Sequence, residues 1–516
     1  MLYLYDLLMS NYNEHTQRIA KNTLMLYFRM FFMMLLGLFT SRIVLEALGE
    51  NDYGIYNVVG GVVALFTMIS GSLSTAVTRF ITFELGKGPN AKMNEVYSVS
   101  MIVMSVLALV VVAVMEPAGL WFIEHKMSIE AVRIPAARVV LHFSLMAFVV
   151  NLMSVPQMAL ITAHEKMSAY AYIGVLDGLL RFGTALAISR FGGDRLELYS
   201  MLMTGSVIVV RMAYGKYCRR NFPESRFRLI FEKNLLKEMF SFAGWSFFGS
   251  ISGVLRDQGG NILVNVFSGP AVNAARAIAV QLNSAILSFV TNFMTAVNPQ
   301  ITKSYASGDH AYMFSLMRKS SRMAYYLLFV LIMPVLFNTE YLLGLWLKEV
   351  PEHSVTFVRL FLVFTLSESI SYPLITAMQA TGRIRNYQLV VGGLQLLNLP
   401  LSYVLLRAGC SPEVTVKVAI VLSQSCLVAR LFMLRGMIGL SVRDFIRRIY
   451  LNVVAVTVVA FIPALLVQPF IPAGMPGFLI NVSLCAIFAI SSIFFVGCTA
   501  DERSKVIGFV RDRIKK

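Results

Sequence analysis

Apolar runs of about 20 residues follow one another along nearly the whole chain, and no other feature narrows the fold as much. A helix of that length spans about 30 Å, the thickness of a bilayer's hydrocarbon core. Only 14% of the 516 residues are charged and 57% are hydrophobic, with a mean hydropathy of +0.69. A soluble domain carries roughly a quarter charged residues. The chain is therefore expected to be an all-α polytopic membrane protein with about fourteen transmembrane helices. The expected spans are roughly 24–46, 53–78, 93–115, 134–157, 168–190 and 197–215 in the first half. Roughly 239–267, 272–297, 322–346, 355–378, 386–407 and 413–435 follow, then 446–468 and 475–498.

The net charge of +17 raises nucleic acid as a partner, but the placement of the charge argues against it. Basic residues fill alternate short loops: Arg79/Lys87/Lys92, Lys303/Arg318/Lys319/Arg322, Arg383/Arg385 and Arg435/Arg443/Arg447/Arg448. The loops between are acidic or mixed: Glu46/Glu50/Asp52, Glu116/Glu124/Glu130 and Glu340/Glu349/Glu352. Such alternation places the basic set, and with an even span count both termini, in the cytoplasm. The tail Arg503, Lys505, Arg511, Arg513, Lys515, Lys516 agrees. The longest basic loop, 216–237, reads as a solvated linker touching anionic lipid heads. Met1 to Met9 lacks a basic n-region and a cleavage site, so it reads as a cytoplasmic, interfacial segment rather than a signal peptide. Cys218, Cys410, Cys426, Cys485 and Cys498 show neither metal nor disulfide spacing, and no cofactor or metal is expected.

The chain also repeats itself. Thr75-Ala76-Val77, Ile81-Thr82 and Gly88 recur 220 residues later as Thr295-Ala296-Val297, Ile301-Thr302 and Gly308, and Gly49 recurs as Gly269. Gly119-Leu120-Trp121 recurs as Gly344-Leu345-Trp346 at an offset of 225. Ser154, Pro156, Ala163 and Tyr170 recur as Ser371, Pro373, Ala380 and Tyr387 at 217. A nearly constant offset marks an internal repeat. Both copies begin on the same side, so the repeat is parallel. The expected organisation is an N-terminal segment (1–21), a six-helix bundle (22–215) and a basic cytoplasmic linker (216–237). A second six-helix bundle (238–437) follows, then two additional helices with a basic tail (438–516).

Five stretches carry a resemblance: SRIVLEALGENDYGIYNVVGG (41–61), AHEKMSAYAYIG (163–174), GPAVNAARAIA (269–279), FMTAVNPQITKSYASGD (293–309) and QATGRIRNYQLVVGG (379–393). In order, and over nearly the whole chain, they resemble bacterial polysaccharide flippases of the Wzx type. These belong to the multidrug/oligosaccharidyl-lipid/polysaccharide exporter superfamily. The resemblance implies two bundles of six helices around a central cavity, with two further helices, working by alternating access. It implies an undecaprenyl-diphosphate-linked oligosaccharide as cargo, carried from the cytoplasmic to the outer leaflet of the bacterial inner membrane for surface polysaccharide biosynthesis. A coupling cation, H+ or Na+, is implied as a partner, and membrane lipids surround the protein. Nothing in the sequence points to a stable oligomer, so a monomer is expected.

An anionic lipid diphosphate crossing a low-dielectric layer needs counter-charge. Arginine suits the task because it stays charged and bonds phosphate bidentately. Arg29 and Arg42 fall in the first span, Arg256 in the seventh and Arg276 in the eighth, and these are the expected substrate-binding residues. Related lipid-diphosphate flippases use arginines in their first and eighth helices, which Arg29 and Arg276 match. Asp177 and Arg181, four apart in one span, are expected to share a helix face as a salt bridge, a gate or a relay. Glu368, with no local partner in sequence, is a candidate for ion coupling. Asp257 follows Arg256 directly, and neighbours on a helix do not share a face, so pairing across helices is expected. Pro156 and Pro373 at equivalent span ends, and Pro299 at the end of the central helix, are candidate hinges.

A multidrug/cation antiporter of the same superfamily is the alternative, but cationic cargo favours cavity carboxylates and the excess here is arginine. An enzyme is not expected: His164-Glu165-Lys166 lacks the second histidine of a zincin, and no phosphate-binding glycine loop occurs.

Overall fold

The computed structural model describes residues 14–507, apart from 65, 66, 126, 128, 348, 473, 501, 505 and 506. The expectations for Met1–Met9, Lys505, Arg511, Arg513, Lys515 and Lys516 therefore lie outside the described residues. Every regular element among the described residues is helical, and the chain is an all-α polytopic membrane protein. Among the described residues, eleven helices are long and apolar enough to cross a membrane, twelve counting one bent pair. One of the eleven, Lys233–Ala306, has 74 residues, which at 1.5 Å per residue is long enough for two crossings. The described residues of the expected span 53–78, on either side of 65 and 66, are helical.

Two compact units divide the chain: residues 24–247, and residues 248–516 together with the described residues before Leu24. The first unit is built from α1 (Glu14–Ala64) from Leu24 onward, α2 (Thr67–Gly86), α3 (Met93–His125), α4 (Ile134–Ala163), α5 (Met167–Ser189), α6 (Arg195–Asn221) and the start of the next helix as far as Phe247. The basic linker belongs to this unit. Asn94 Nδ2 donates to the carbonyls of Glu224 (3.1 Å) and Arg226 (2.5 Å), and the Arg228 amide donates to Ser98 Oγ at 3.1 Å. The His164 ring meets Glu224 Oε1 at 2.6 Å and stacks on Phe222 with centroids 4.3 Å apart. That hydrogen bond is the main reason the Glu224 carboxyl lies below its ordinary range, against the opposing effect of burial.

The second unit contains α7 (Lys233–Ala306) from Phe248 onward, α8 (His310–Phe337), α9 (Thr339–Trp346), α10 (Ser354–Ser369), α11 (Tyr372–Ala380), α12 (Arg385–Arg407), α13 (Val414–Ile438), α14 (Val442–Phe470) and α15 (Met475–Gly497). The last two pack on α8 through polar contacts that run from its middle to its C-terminal end. Arg322 binds the Gly497 carbonyl (3.0 Å) and Glu502 (2.7 Å). Tyr325 meets Thr457 at 2.6 Å, Tyr326 binds Asn452 and the Gly497 carbonyl, and Asn481 joins Asn338 to Gln468 at 3.0 Å each. Away from water such bonds hold helices together at modest gain. Large apolar side chains such as Leu109 (72% exposed), Val266 (72%) and Leu466 (68%) face outward, as lipid contact requires.

The repeat is visible in the backbone. α1 turns sharply at Gly49 (φ 74, ψ 171) and α7 at Gly269 (φ 81, ψ 175), a conformation open in practice to glycine alone. Gly88 and Gly308 share positive φ as well. So do Glu165 (φ 58) and Gly382 (φ 75), related by 217. At the helix starts, Arg133 precedes α4 and pairs with Asp194, the N-cap of α6, at 2.6 Å. His353 precedes α10 and pairs with Glu413, the residue before α13, also at 2.6 Å.

The candidate hinges behave differently from one another. Pro373 follows a 43° bend between α10 and α11. Pro156 lies inside α4, and Pro299 lies inside α7, seven residues before its end at Ala306. Pro299 therefore does not end the central helix, and Pro156 does not stand at a span end. Each helix runs on through the one missing donor that proline costs it.

Candidate functional site

The charged residues inside the spans sort by what already neutralises them. In the first unit, Arg42 Nε binds Glu46 Oε1 at 2.9 Å, one turn on, with side chains 78% and 64% exposed. Its charge is already met by a neighbour, as is that of Arg256, and this sets the two apart from Arg29 and Arg276. Asp177 and Arg181 form the expected pair, Nε lying 3.0 Å from both carboxylate oxygens. Arg29 has no carboxylate partner among the described residues; its guanidinium lies 4.6 Å above the Tyr170 ring, and its Nε is buried with no acceptor.

In the second unit, the sharp turn at Gly269 brings the two limbs of α7 side by side, and Arg276 bridges them. Its Nη2 donates to the Asp257 carbonyl at 2.9 Å and its Nη1 to Asn261 Oδ1 at 3.4 Å. Gly260 makes room, since a Cβ there would come 3.3 Å from Nη2, and the Phe361 ring lies 5.4 Å away. Arg276 is only 7% exposed, with no carboxylate partner among the described residues and no acceptor for Nε. An arginine at the centre of a span costs roughly 2.5–3.5 kcal/mol on insertion scales, so an uncompensated one marks an anion or a polar route.

One expectation needs correction. Asp257 pairs with its own neighbour: Arg256 Nε and Nη2 reach its two oxygens at 2.8 and 3.1 Å. Cβ directions diverge between adjacent helix residues, but the long guanidinium arm curls back across the gap. Glu368, without a partner local in sequence, finds distant ones. Its Oε1 accepts from Ser423 Oγ and lies 3.9 Å from Arg430 Nη1, both on α13.

Sequence reasoning missed three arginines. Arg430, 1% exposed, also reaches Tyr387 Oη through Nε at 3.4 Å. Its closeness to Arg435 hid it among the loop cations. Arg211 stands in α6 with Nη1 buried and no acceptor, close in sequence to Lys216 and Arg219. Arg79, expected in a loop, is in α2 among the rings of Phe80, Phe83 and Phe242, at 4.7, 4.4 and 5.8 Å. No group of three metal-ligating side chains occurs among the described residues.

Residues 19–305 match the family described as polysaccharide biosynthesis protein. None of the curated proteins matches the sequence. Among solved structures, a MATE in the bent conformation superposes with a TM-score of 0.70 at 13% identity, over 85% of this chain and 98% of that one. An outward-facing multidrug resistance MATE transporter of the MOP superfamily gives 0.68 at 14%, over 84% and 98%. A MOP superfamily transporter from Pyrococcus furiosus, whose binding pocket is described as of reverse polarity, gives 0.69 at 13%, over 85% and 98%. At these identities the likeness is one of fold.

Proposed function

The chain belongs to the polysaccharide biosynthesis protein family and has the fold of MATE transporters, and from that premise we propose that it flips a lipid-linked oligosaccharide. The cargo is an undecaprenyl-diphosphate-linked glycan, moved from the cytoplasmic to the outer leaflet of the bacterial inner membrane by alternating access. The observation that carries this reading is unpaired arginine charge inside apolar helices. Arg29 and Arg276 have no carboxylate partner among the described residues, whereas Asp177, Asp257 and Glu368 each have an arginine. Such a balance suits a diphosphate, which a guanidinium binds in its own plane through paired N–H groups. A cationic drug needs the converse, a carboxylate free to receive it.

The basic loops and both termini face the cytoplasm in this reading, and the protein works as a monomer. H+ or Na+ coupling would act on the Asp177–Arg181 and Glu368–Arg430 pairs, where neutralising the carboxylate frees an arginine. The test is translocation of fluorescent lipid-linked glycan by the purified chain in proteoliposomes. Flipping that is saturable and absent from empty liposomes is expected. Efflux of cationic dyes without glycan movement would overturn the reading in favour of a multidrug/cation antiporter.

A further inference from the structure

The repeat pairs Tyr170 with Tyr387, and each tyrosine meets an arginine, but from a different helix. Tyr387 accepts from Arg430 of α13, a fully buried group whose charge faces Glu368. Tyr170 instead offers its ring face to Arg29 of α1. The counterpart of Arg29 at the 220 offset is Gly249, and there the fit is inverted: the Gln388 amide from α12 occupies the space a Cβ on Gly249 would need. One repeat has thus placed a cation where the other has a notch.

Tyr170, Gly174, Asp177 and Arg181 follow one another at helical spacing along one face of α5. Within it, Gly174 and Gly178 form a small-xxx-small pair against α1. A Cβ on Gly174 would overlap Arg29 Nε and come 2.8 Å from its Cδ; one on Gly178 would come 2.5 Å from Met33 Sδ. The first notch holds the cation and the second an apolar side chain one turn along. Tyr214 lies within electrostatic range of Tyr170, Arg29 and Asp177.

We infer that Tyr170 and Gly174 are positioning residues for Arg29: together they seat its guanidinium edge-outward as an oxyanion subsite for phosphate or diphosphate. The ring covers one face of the guanidinium and the notch takes its stem. Stacking leaves the in-plane N–H groups, which are the ones a phosphate uses. No carboxylate competes with that ligand at Arg29 among the described residues. The inference rests on the proposed anionic cargo.

The experiment measures binding of undecaprenyl diphosphate and of inorganic pyrophosphate to the full chain in detergent, and flipping in proteoliposomes. Tyr170→Phe keeps the ring face and is expected within twofold of wild type. Tyr170→Leu and Gly174→Ala are expected to raise the half-saturating concentration about fivefold, the scale of a partly desolvated cation–π contact, with little change in maximal rate. Gly178→Ala controls for packing: it should lower the melting temperature about as much as Gly174→Ala yet leave half-saturation unchanged. Tighter binding of the lipid than of pyrophosphate names the lipid as the source, and equal binding names the free anion; both support the seat. Equal half-saturation in wild type, Tyr170→Leu and Gly174→Ala overturns the seat while leaving the cargo standing. If wild type binds neither diphosphate, the proposed function falls, and the seat with it.

Discussion

His353 stands in the second repeat where Arg133 stands in the first, 220 residues earlier, each at the start of a helix and each bonded to an acid at the start of a later one, α6 for Arg133 and α13 for His353. Arg133 is charged at every relevant pH and also grips Asp52. His353 faces Glu413 through Nδ1 and Glu352 through Nε2 at 3.8 Å. Burial would raise the Glu413 carboxyl, but hydrogen bonds from Ser411, from its own backbone and from His353 hold it below the ordinary range.

The start of α13 should therefore depend on pH. Because the folded Glu413 carboxyl is held below its ordinary range, the stability it contributes is present above the usual carboxylate range and is lost as the pH falls through its lowered value. Hydrogen exchange at the start of α13, corrected for intrinsic rate, should speed up as the pH is lowered through that range, and Glu413→Gln should flatten the dependence.

Arg276→Ala and Arg29→Ala should insert and fold but lose at least about tenfold in flipping rate, since each removes a charge-assisted contact to cargo. Arg42→Ala should stay within about twofold, because an exposed pair contributes little. Surface glycan levels in cells, normalised to membrane-inserted protein, read both effects.

Gly269→Ala should destabilise the chain by about 1–3 kcal/mol through backbone strain alone, since nothing lies within 4 Å of the added methyl. Gly49→Ala should match it. The fraction of folded protein in mild detergent on heating is the measurement, and Gly260→Ala, at ordinary φ, separates strain from crowding of Arg276.

Glu368→Gln leaves Arg430 buried without its counter-charge and should cost about 3–5 kcal/mol. Replacing both, with Arg430→Met beside Glu368→Gln, should recover most of that loss. Thermal unfolding of the single and double variants gives the coupling directly.

The fold was legible because the bilayer imposes it: apolar runs, alternating loop charge and the 220-residue offset each follow from physics that acts on short stretches. Gly49 and Gly269 are related in sequence by the offset and share one backbone conformation in the fold. The site was legible only in part. Arg29 and Arg276 stood out as cations well inside apolar runs, but Arg211 and Arg430 lie within a turn or two of the basic loops and looked like part of them. Glu368 seemed alone because Ser423 and Arg430 are more than fifty residues away in sequence. Asp257 was misread because the adjacent-residue rule concerns Cβ directions, and a guanidinium on three methylenes is long enough to evade it.

α8 is stitched to α14 and α15 from Arg322 near its middle to Asn338 just past its C-terminal end. It cannot tilt without towing two membrane helices sideways through the acyl chains. Any working stroke that recruits α8 is thus damped by the surrounding lipid, and thicker or more viscous bilayers should slow it even where the chemistry of binding is untouched.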